Sequence, residues 1–279
     1  MIKKFKKVFS GFSYKYFLDN EKDKSLIKRS KSKVVKFKYI DVPFPKNAMI
    51  ELTAGCNHSC VFCTNPRMEI KGTRLDIDVY KKFIKDGHLL GLKEVGFYMR
   101  GEPLLDKRLE EFVKIAHKEG IEYIYITTNG ALATIEKMKR LLAAGLSSVK
   151  FSVNSASREK YLETHGKDDF EKVLKNIKDL KEYKKISGKE FKIISSFVVT
   201  KFTENEIEDY KKIFLPLVDD MKILGVHGQA GQALSELKML ESNELTAPFP
   251  KIGNANPCTM LWDRVHLTQD GFLSLCCVD

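Results

Sequence analysis

From about residue 48 the chain alternates short strand-like runs with longer helix-like runs, and this rhythm constrains the fold more than any other feature. The pattern predicts strands over 48–53, 94–99, 122–127, 148–153, 191–199 and 221–226, all rich in Ile, Val, Phe and Tyr. Helical patterns fill the gaps, at about 76–90, 104–119, 133–144, 168–185 and 203–215. Asp76, Thr134 and Asp168 stand where N-caps are expected. Gly120 and Gly145 stand where left-handed C-terminal glycines are expected. Six βα units in series imply a parallel sheet with helices outside it. Right-handed crossovers curl such a sheet toward an open or closed barrel. The linear order alone does not separate a barrel from a doubly wound sheet. After residue 227 the rhythm breaks. Residues 228–257 read as an irregular connection. Beyond them, 265–268, the turn Gln269-Asp270-Gly271 and 272–275 read as a β-hairpin, Asp-Gly being a favoured turn pair.

The six cysteines fall into two groups of three. The first group is Cys56-Asn57-His58-Ser59-Cys60-Val61-Phe62-Cys63, directly after the first strand. Three thiols within eight residues form no tidy set of disulfides, and the N-terminus has no apolar h-region of a secretory signal. A metal centre is the better reading. Three cysteines wrapping one centre suit an iron–sulfur cube with one iron left free of protein ligands. An open coordination position marks a reactive site rather than a structural one. Zinc completed by His58 or a distant cysteine, and buried free thiols, are the alternatives. Zinc ribbons use paired C-x2-C knuckles, whereas this triple is C-x3-C-x2-C.

The triple, with Phe62 just before its third cysteine, resembles the radical S-adenosylmethionine (SAM) superfamily, which carries it in the loop after the first strand of a βα barrel. The resemblance spans about residues 47–279. It implies an α/β fold, a partial (β/α)6 barrel with a short C-terminal β-hairpin appendage. The expected organisation is a basic extension at 1–46, the barrel at 47–227, and a connection with a partial appendage at 228–279. It also implies a [4Fe–4S] cluster on Cys56, Cys60 and Cys63, with SAM on the open iron. One electron, from a donor such as flavodoxin or ferredoxin, would cleave SAM to a 5′-deoxyadenosyl radical that abstracts a substrate hydrogen.

In a βα barrel the chemistry gathers at the C-terminal ends of the strands. There stand Arg100-Gly101-Glu102-Pro103, Thr128-Asn129-Gly130, Ser152-Val153-Asn154 and Thr200. Gly101-Glu102-Pro103 resembles the family's glycine-rich GGEP element, whose backbone and Glu meet the SAM amino group, with Arg100 replacing its first glycine. Ser152 and Asn154 alternate with Phe151 and Val153, so both point to one face of their strand. They resemble the family's strand-four contacts to SAM. Ser196 on strand five is a candidate of the same kind, and Asn129 stands at the end of strand three. Phe62 fits beside the adenine, chiefly through its backbone. Where many relatives place an arginine for the SAM carboxylate, this chain reads Thr164-His165-Gly166, with Arg158 as an alternative.

Cys258, Gly271 and Cys276 spell C-x12-G-x4-C, with Cys277 adjacent. This resembles the opening of a SPASM domain, whose cysteines ligate auxiliary [4Fe–4S] clusters. The sequence ends at Asp279 before any later SPASM cysteine, so the expectation is a truncated SPASM region or a degenerate appendage. The resemblance therefore implies at most Cys258, Cys276 and Cys277 as ligands of an auxiliary cluster. SPASM-type relatives act on peptides, protein side chains and sugars. His227, Gln229 and Gln232 would line a polar cavity.

The charge is uneven. The chain carries a net charge of +11. Residues 1–40 hold 13 Lys/Arg against Asp19, Glu21 and Asp23, leaving the remainder almost neutral. A whole-domain basic surface, the usual footprint of a nucleic-acid binder, is absent. Ile2, Phe5, Phe9, Phe12 and Tyr16 recur at helical spacing among lysines, which suits a helix lying on an anionic membrane through residues 1–20. No apolar run approaches the roughly 20 residues of a spanning helix. The expectation is a cytoplasmic enzyme, peripheral at most at the inner membrane face. A non-catalytic metal protein and an enzyme acting on RNA are the competing readings.

Overall fold

The computed structural model describes residues 43–67, 72–226 and 263–275. The basic N-terminal pattern, His227, Gln229, Gln232, Cys258, Cys276 and Cys277 all lie outside these residues. So does the connection at 228–257.

Eight strands form one sheet: β1 (Asn47–Ile50), β2 (Glu94–Phe97), β3 (Tyr123–Thr128), β4 (Ser148–Ser152), β5 (Lys192–Val199), β6 (Asp220–Gly225), β7 (Arg264–Leu267) and β8 (Leu273–Ser274). Their order is β6-β5-β4-β3-β2-β1-β7-β8. Every pairing is parallel except β7 with β8. The helices are α1 (Ile77–Leu89), α2 (Leu109–Lys118), α3 (Ile135–Ala144), α4 (Arg158–His165), α5 (Phe170–Ser187) and α6 (Ile207–Phe214). An α/β fold with a parallel sheet, open rather than closed on itself among the described residues, matches the expected partial barrel.

Strand alternation divides the sheet into two faces. Ala48, Ile50, Val95, Phe97, Ile124, Ile126, Val149, Phe151, Ile193 and Phe197 face the helices and are fully buried there. Tyr80 of α1 and Phe112 of α2 pack on Phe97, with ring centroids 4.7–6.4 Å apart. Each such burial contributes about 1.5–3 kcal/mol. The Tyr80 hydroxyl donates to the Phe112 carbonyl at 3.0 Å, so burying it leaves no unpaired donor. The other face carries Tyr123, Tyr125, Thr127, Lys150 and Ser152, and these are only half-buried.

The caps follow the sequence at two positions and depart at a third. Asp76 accepts from the backbone N–H groups of Asp78 and Val79, and Thr134 from that of Lys137. Asp168 does not cap α5. Its carboxylate takes both arms of the Arg158 guanidinium instead, and Asp169 occupies the cap position without a side-chain bond. Helix α4 has no counterpart among the expected helices, because its apolar residues show no preferred face. It is started by Ser157, which accepts from the Lys160 N–H, and ended by Gly166 at φ +65°.

The hairpin forms where expected, with Gly271 at φ +86° in its turn. Its first strand is not apart from the barrel. β7 lies parallel to β1 in full register and extends the sheet at that edge.

Candidate active site

The cysteine loop leaves the C-terminal end of β1 and is held from behind by α4. The last carbonyls of a helix have no partner within it. In α4 those of Thr164 and His165 accept from the N–H groups of Val61 and Ser59, at 2.9 and 3.0 Å. Gly166 is needed here. Its backbone is left-handed, and a Cβ would come within 3.1 Å of the Ser59 carbonyl oxygen.

Each of the three sulfurs faces a nitrogen. The Asn65 N–H donates to Cys63 Sγ at 3.4 Å. Asn129 Nδ2 lies 4.0 Å from Cys56 Sγ and donates to Asn57 Oδ1 at 2.8 Å. His165 Nδ1 lies 3.3 Å from Cys60 Sγ. Asn65 is pinned by its own bond to the Ala54 carbonyl. Burial pushes the Cys60 thiol well up, and the neighbouring Cys63 and Cys56 push it further. Burial also raises Cys56 and Cys63. Three thiols held protonated by burial, with no disulfide between them, are a soft donor set that a metal would deprotonate and stabilise. These residues therefore fit a [4Fe–4S] cluster. A zinc completed by His58 would have to use its Nδ1, because its Nε2 is engaged elsewhere. That Nε2 lies 3.2 Å from the Tyr161 hydroxyl and 3.7 Å from Asp169.

His165 is fully buried and stacked on Tyr161 at 4.2 Å. Burial, then the nearby His58, push its pKa down to about 3, so the ring is neutral at pH 7. Phe62 meets its edge at 5.9 Å. Arg158 is on the outside of α4, bound to Asp168.

The loop after β2 packs directly on this centre. A Cβ on Gly101 would fall 1.8 Å from the Thr53 carbonyl oxygen, so the glycine is imposed by this chain's own backbone. Glu102 N–H donates to the Gly55 carbonyl. The Glu102 carboxylate is fully buried, and burial raises its pKa. It accepts from Leu104 N–H, the Thr128 hydroxyl and Asn129 N–H, at 3.0, 2.8 and 2.8 Å. One acceptor position of the four remains for a further donor. Arg100, standing where the family has glycine, forms a bidentate pair with Glu51 and reaches Gln269 of the hairpin turn.

Ser152 and Ser196 are register partners with hydroxyls 3.5 Å apart on the half-open face. Asn154 sits at φ 57°, accepts from Val198 N–H at 2.9 Å, and places Nδ2 3.3 Å from His165 Nε2. Phe62, Gly101, Glu102, Asn129, Ser152, Asn154 and Ser196 thus come from five separate segments to one end of the sheet. The sequence reading missed Asn65 and Glu51. Asn65 follows Cys63 by two residues, the offset at which a backbone N–H commonly bonds a side chain.

The Radical SAM superfamily model matches residues 50–213, more than half of the chain. An uncharacterized protein of Methanocaldococcus jannaschii is 30% identical over 175 residues, covering 62% of this chain and 55% of that one. A GTP 3′,8-cyclase of Chlorobaculum tepidum is 33% identical over 129 residues, covering 46% and 38%. The chain thus spans about half or less of these relatives' own lengths. Among solved structures, SuiB of Streptococcus suis bound to its precursor peptide SuiA superposes with a TM-score of 0.66. It is 14% identical, and the match covers 85% of this chain and 60% of that one. That likeness is one of fold. The cysteine loop, its seat at the end of β1 and the matched family model agree: the chain belongs to the radical SAM superfamily.

Proposed function

We propose that this chain is the catalytic barrel of an enzyme that cleaves SAM reductively and starts its reaction by taking hydrogen from a polar substrate, a sugar or a peptide. The observation that carries this reading is the half-buried loop of three free cysteines at the C-terminal end of β1, each sulfur facing a nitrogen. The chemistry that a [4Fe–4S] cluster would supply there is one-electron reduction of SAM, with cleavage of a C–S bond to methionine and a 5′-deoxyadenosyl radical. Cys56, Cys60 and Cys63 would hold the cluster. Glu102, with its remaining acceptor position, would receive an N–H of the SAM amino group. Ser152 and Ser196 would meet its hydroxyls, and the Phe62 backbone its adenine. Asn154 is committed to Val198 and His165, so its part is to fix the strand-four end. Asn129 orders Asn57 beside Cys56. The barrel is taken as 47–227, with an extension before it and a connection and partial appendage after it.

The test is anaerobic reconstitution with iron and sulfide, then dithionite and SAM. The expected product is 5′-deoxyadenosine. Cys60→Ala should abolish both the cluster absorption and the product. Normal iron loading of the unaltered protein without 5′-deoxyadenosine would defeat the enzyme reading. About four irons per chain means one cluster; about eight would add an auxiliary one on Cys258, Cys276 and Cys277.

A further inference from the structure

The concave face of the sheet is polar where a packed barrel would hold branched apolar side chains. Below the cysteine loop it carries Tyr98, Tyr123, Tyr125, Thr127, Lys150, Ser152, Arg264 and His266, on strands β2–β4 and β7 or directly after them. Gly96 is required for this floor. A Cβ there would fall 2.4 Å from the Tyr125 ring, which lies across β2. The tyrosines form a row, with ring centroids 5.8 Å (Tyr98–Tyr125) and 5.7 Å (Tyr123–Tyr125) apart.

Two cations meet over Tyr98. Lys150 Nζ stands 5.4 Å from its ring centroid, and Arg264 Nη1 donates to its hydroxyl at 3.1 Å. Neither has a carboxylate within salt-bridge distance among the described residues. Arg264 Nε is buried without a hydrogen-bond partner, and the His266 ring, only 1% exposed, has the Ser274 backbone as its polar neighbour. Three acids of this sheet have partners of their own. Glu51 is held by Arg100, Glu94 accepts from Asn47, and Asp220 pairs with Lys222. Burial and the Arg264 charge both hold the Lys150 pKa below its ordinary value. A half-buried cation without a counter-ion costs some stability, and a second positive charge nearby adds to the cost. An anion between the two would reverse the cost. Two positive charges match a phosphate better than a carboxylate, and the Arg fork and the Lys point charge are the usual phosphate partners.

We propose that Lys150 and Arg264, beside His266, bind a phosphate group of the substrate on this concave face. Lys150 lies two residues before Ser152 on β4, so the phosphate would sit roughly 7 Å below the SAM level, within the reach of a small phosphorylated substrate. The site rests on the enzyme reading above only for the reaction, not for the binding.

The test uses the reconstituted full chain and calorimetry at low salt, with inorganic phosphate, pyrophosphate and acetate as probes. Pyrophosphate should bind, and Lys150→Met and Arg264→Gln should each weaken it tenfold or more with iron loading retained. Lys150→Met should also raise the urea midpoint, because it removes a half-buried charge with no carboxylate partner. Equal pyrophosphate binding by all three proteins, or none by the unaltered protein at millimolar concentration, overturns the proposal. Acetate binding that weakens to the same degree in both variants assigns the site to carboxylates and overturns it too. Pyrophosphate binding without 5′-deoxyadenosine formation fails the enzyme reading alone. The converse fails this proposal alone.

Discussion

At the scale of single residues, His165 carries the tightest coupling in the site. Its Nε2 lies 2.8 Å from the Val153 carbonyl and 3.3 Å from Asn154 Nδ2. Its Nδ1 faces Cys60 Sγ. With the proton on Nε2, the ring donates to Val153 and accepts from the Cys60 thiol. With the proton on Nδ1, it accepts from Asn154 and donates to a Cys60 thiolate, at the cost of setting a bare Nε2 against the Val153 carbonyl. The second tautomer suits an iron-bound sulfur, since hydrogen bonds to cluster sulfurs raise the potential. His165→Phe should therefore lower the midpoint potential of the loaded cluster, by on the order of tens of millivolts for one lost bond. An unchanged EPR-monitored titration would rule this out. The same residue sets a pH dependence in the cluster-free protein. Its folded pKa is about 3, and an unfolded histidine titrates near 6.5. Between those values the unfolded state binds the proton and the folded state does not. Stability is thus lost as pH falls below 6.5, at about 1.4 kcal/mol per unit. Urea unfolding from pH 6.5 to 4.5 should cost the unaltered protein roughly 2–3 kcal/mol more than His165→Phe. Burial lowers His58 as well, with the same sign. Parallel pH profiles would show that His165 is not the group responsible.

At the scale of elements, the pair Glu51–Arg100 joins three of them: the end of β1, the loop after β2 and the hairpin turn through Gln269. Both side chains are nearly buried, at 1% and 10% exposure. Removing one partner of such a pair strands the other charge and costs about 3–5 kcal/mol. Glu51→Leu should therefore unfold at a lower urea midpoint by that amount, and Glu51→Leu with Arg100→Met should recover part of it. An additive double-mutant cycle would mean that the two do not act as a unit. This pair also marks how far the sequence could be read. Strand positions were legible to within one to three residues, because Ile, Val, Phe and Tyr concentrate there. The cysteine loop was legible from spacing alone. Arg100 read only as a departure from a glycine, since its partners lie 49 and 169 residues away. Gly101 read as a ligand-facing glycine, whereas the group pressed against it is the Thr53 carbonyl. Helix α4 was missed because short helices stabilised by caps and tertiary bonds show no apolar period. Its C-terminal carbonyls nonetheless hold the cysteine loop.

At the scale of the whole molecule, the strand that bears the cysteine loop depends on residues more than two hundred positions later. β1 is only four residues long, and β7 pairs with it along its full length, from Asn47↔Arg264 to Ile50↔Leu267. The Glu51 N–H continues the ladder to the Leu267 carbonyl at 2.9 Å, just before the loop begins. Without β7, β1 becomes a short edge strand with a row of unpaired N–H and C=O groups. The buried Leu267 and the Gln269 bond to Arg100 would go with it. The matched family region ends at residue 213, so this support comes from outside it. A chain ended after residue 262 should fold its β2–β5 core but hold the cysteine loop loosely. Native-state hydrogen exchange at β1 amides should quicken by at least 100-fold, which corresponds to about 2.7 kcal/mol of lost local stability. Exchange at β3 and β4 should change far less, because their partners on both sides remain. Iron retained per chain after gel filtration should fall in step with the β1 rates. If β1 protection and iron retention both survive the truncation, the cysteine loop is held by α4 alone, through the Ser59 and Val61 bonds, and β7 serves only to widen the sheet.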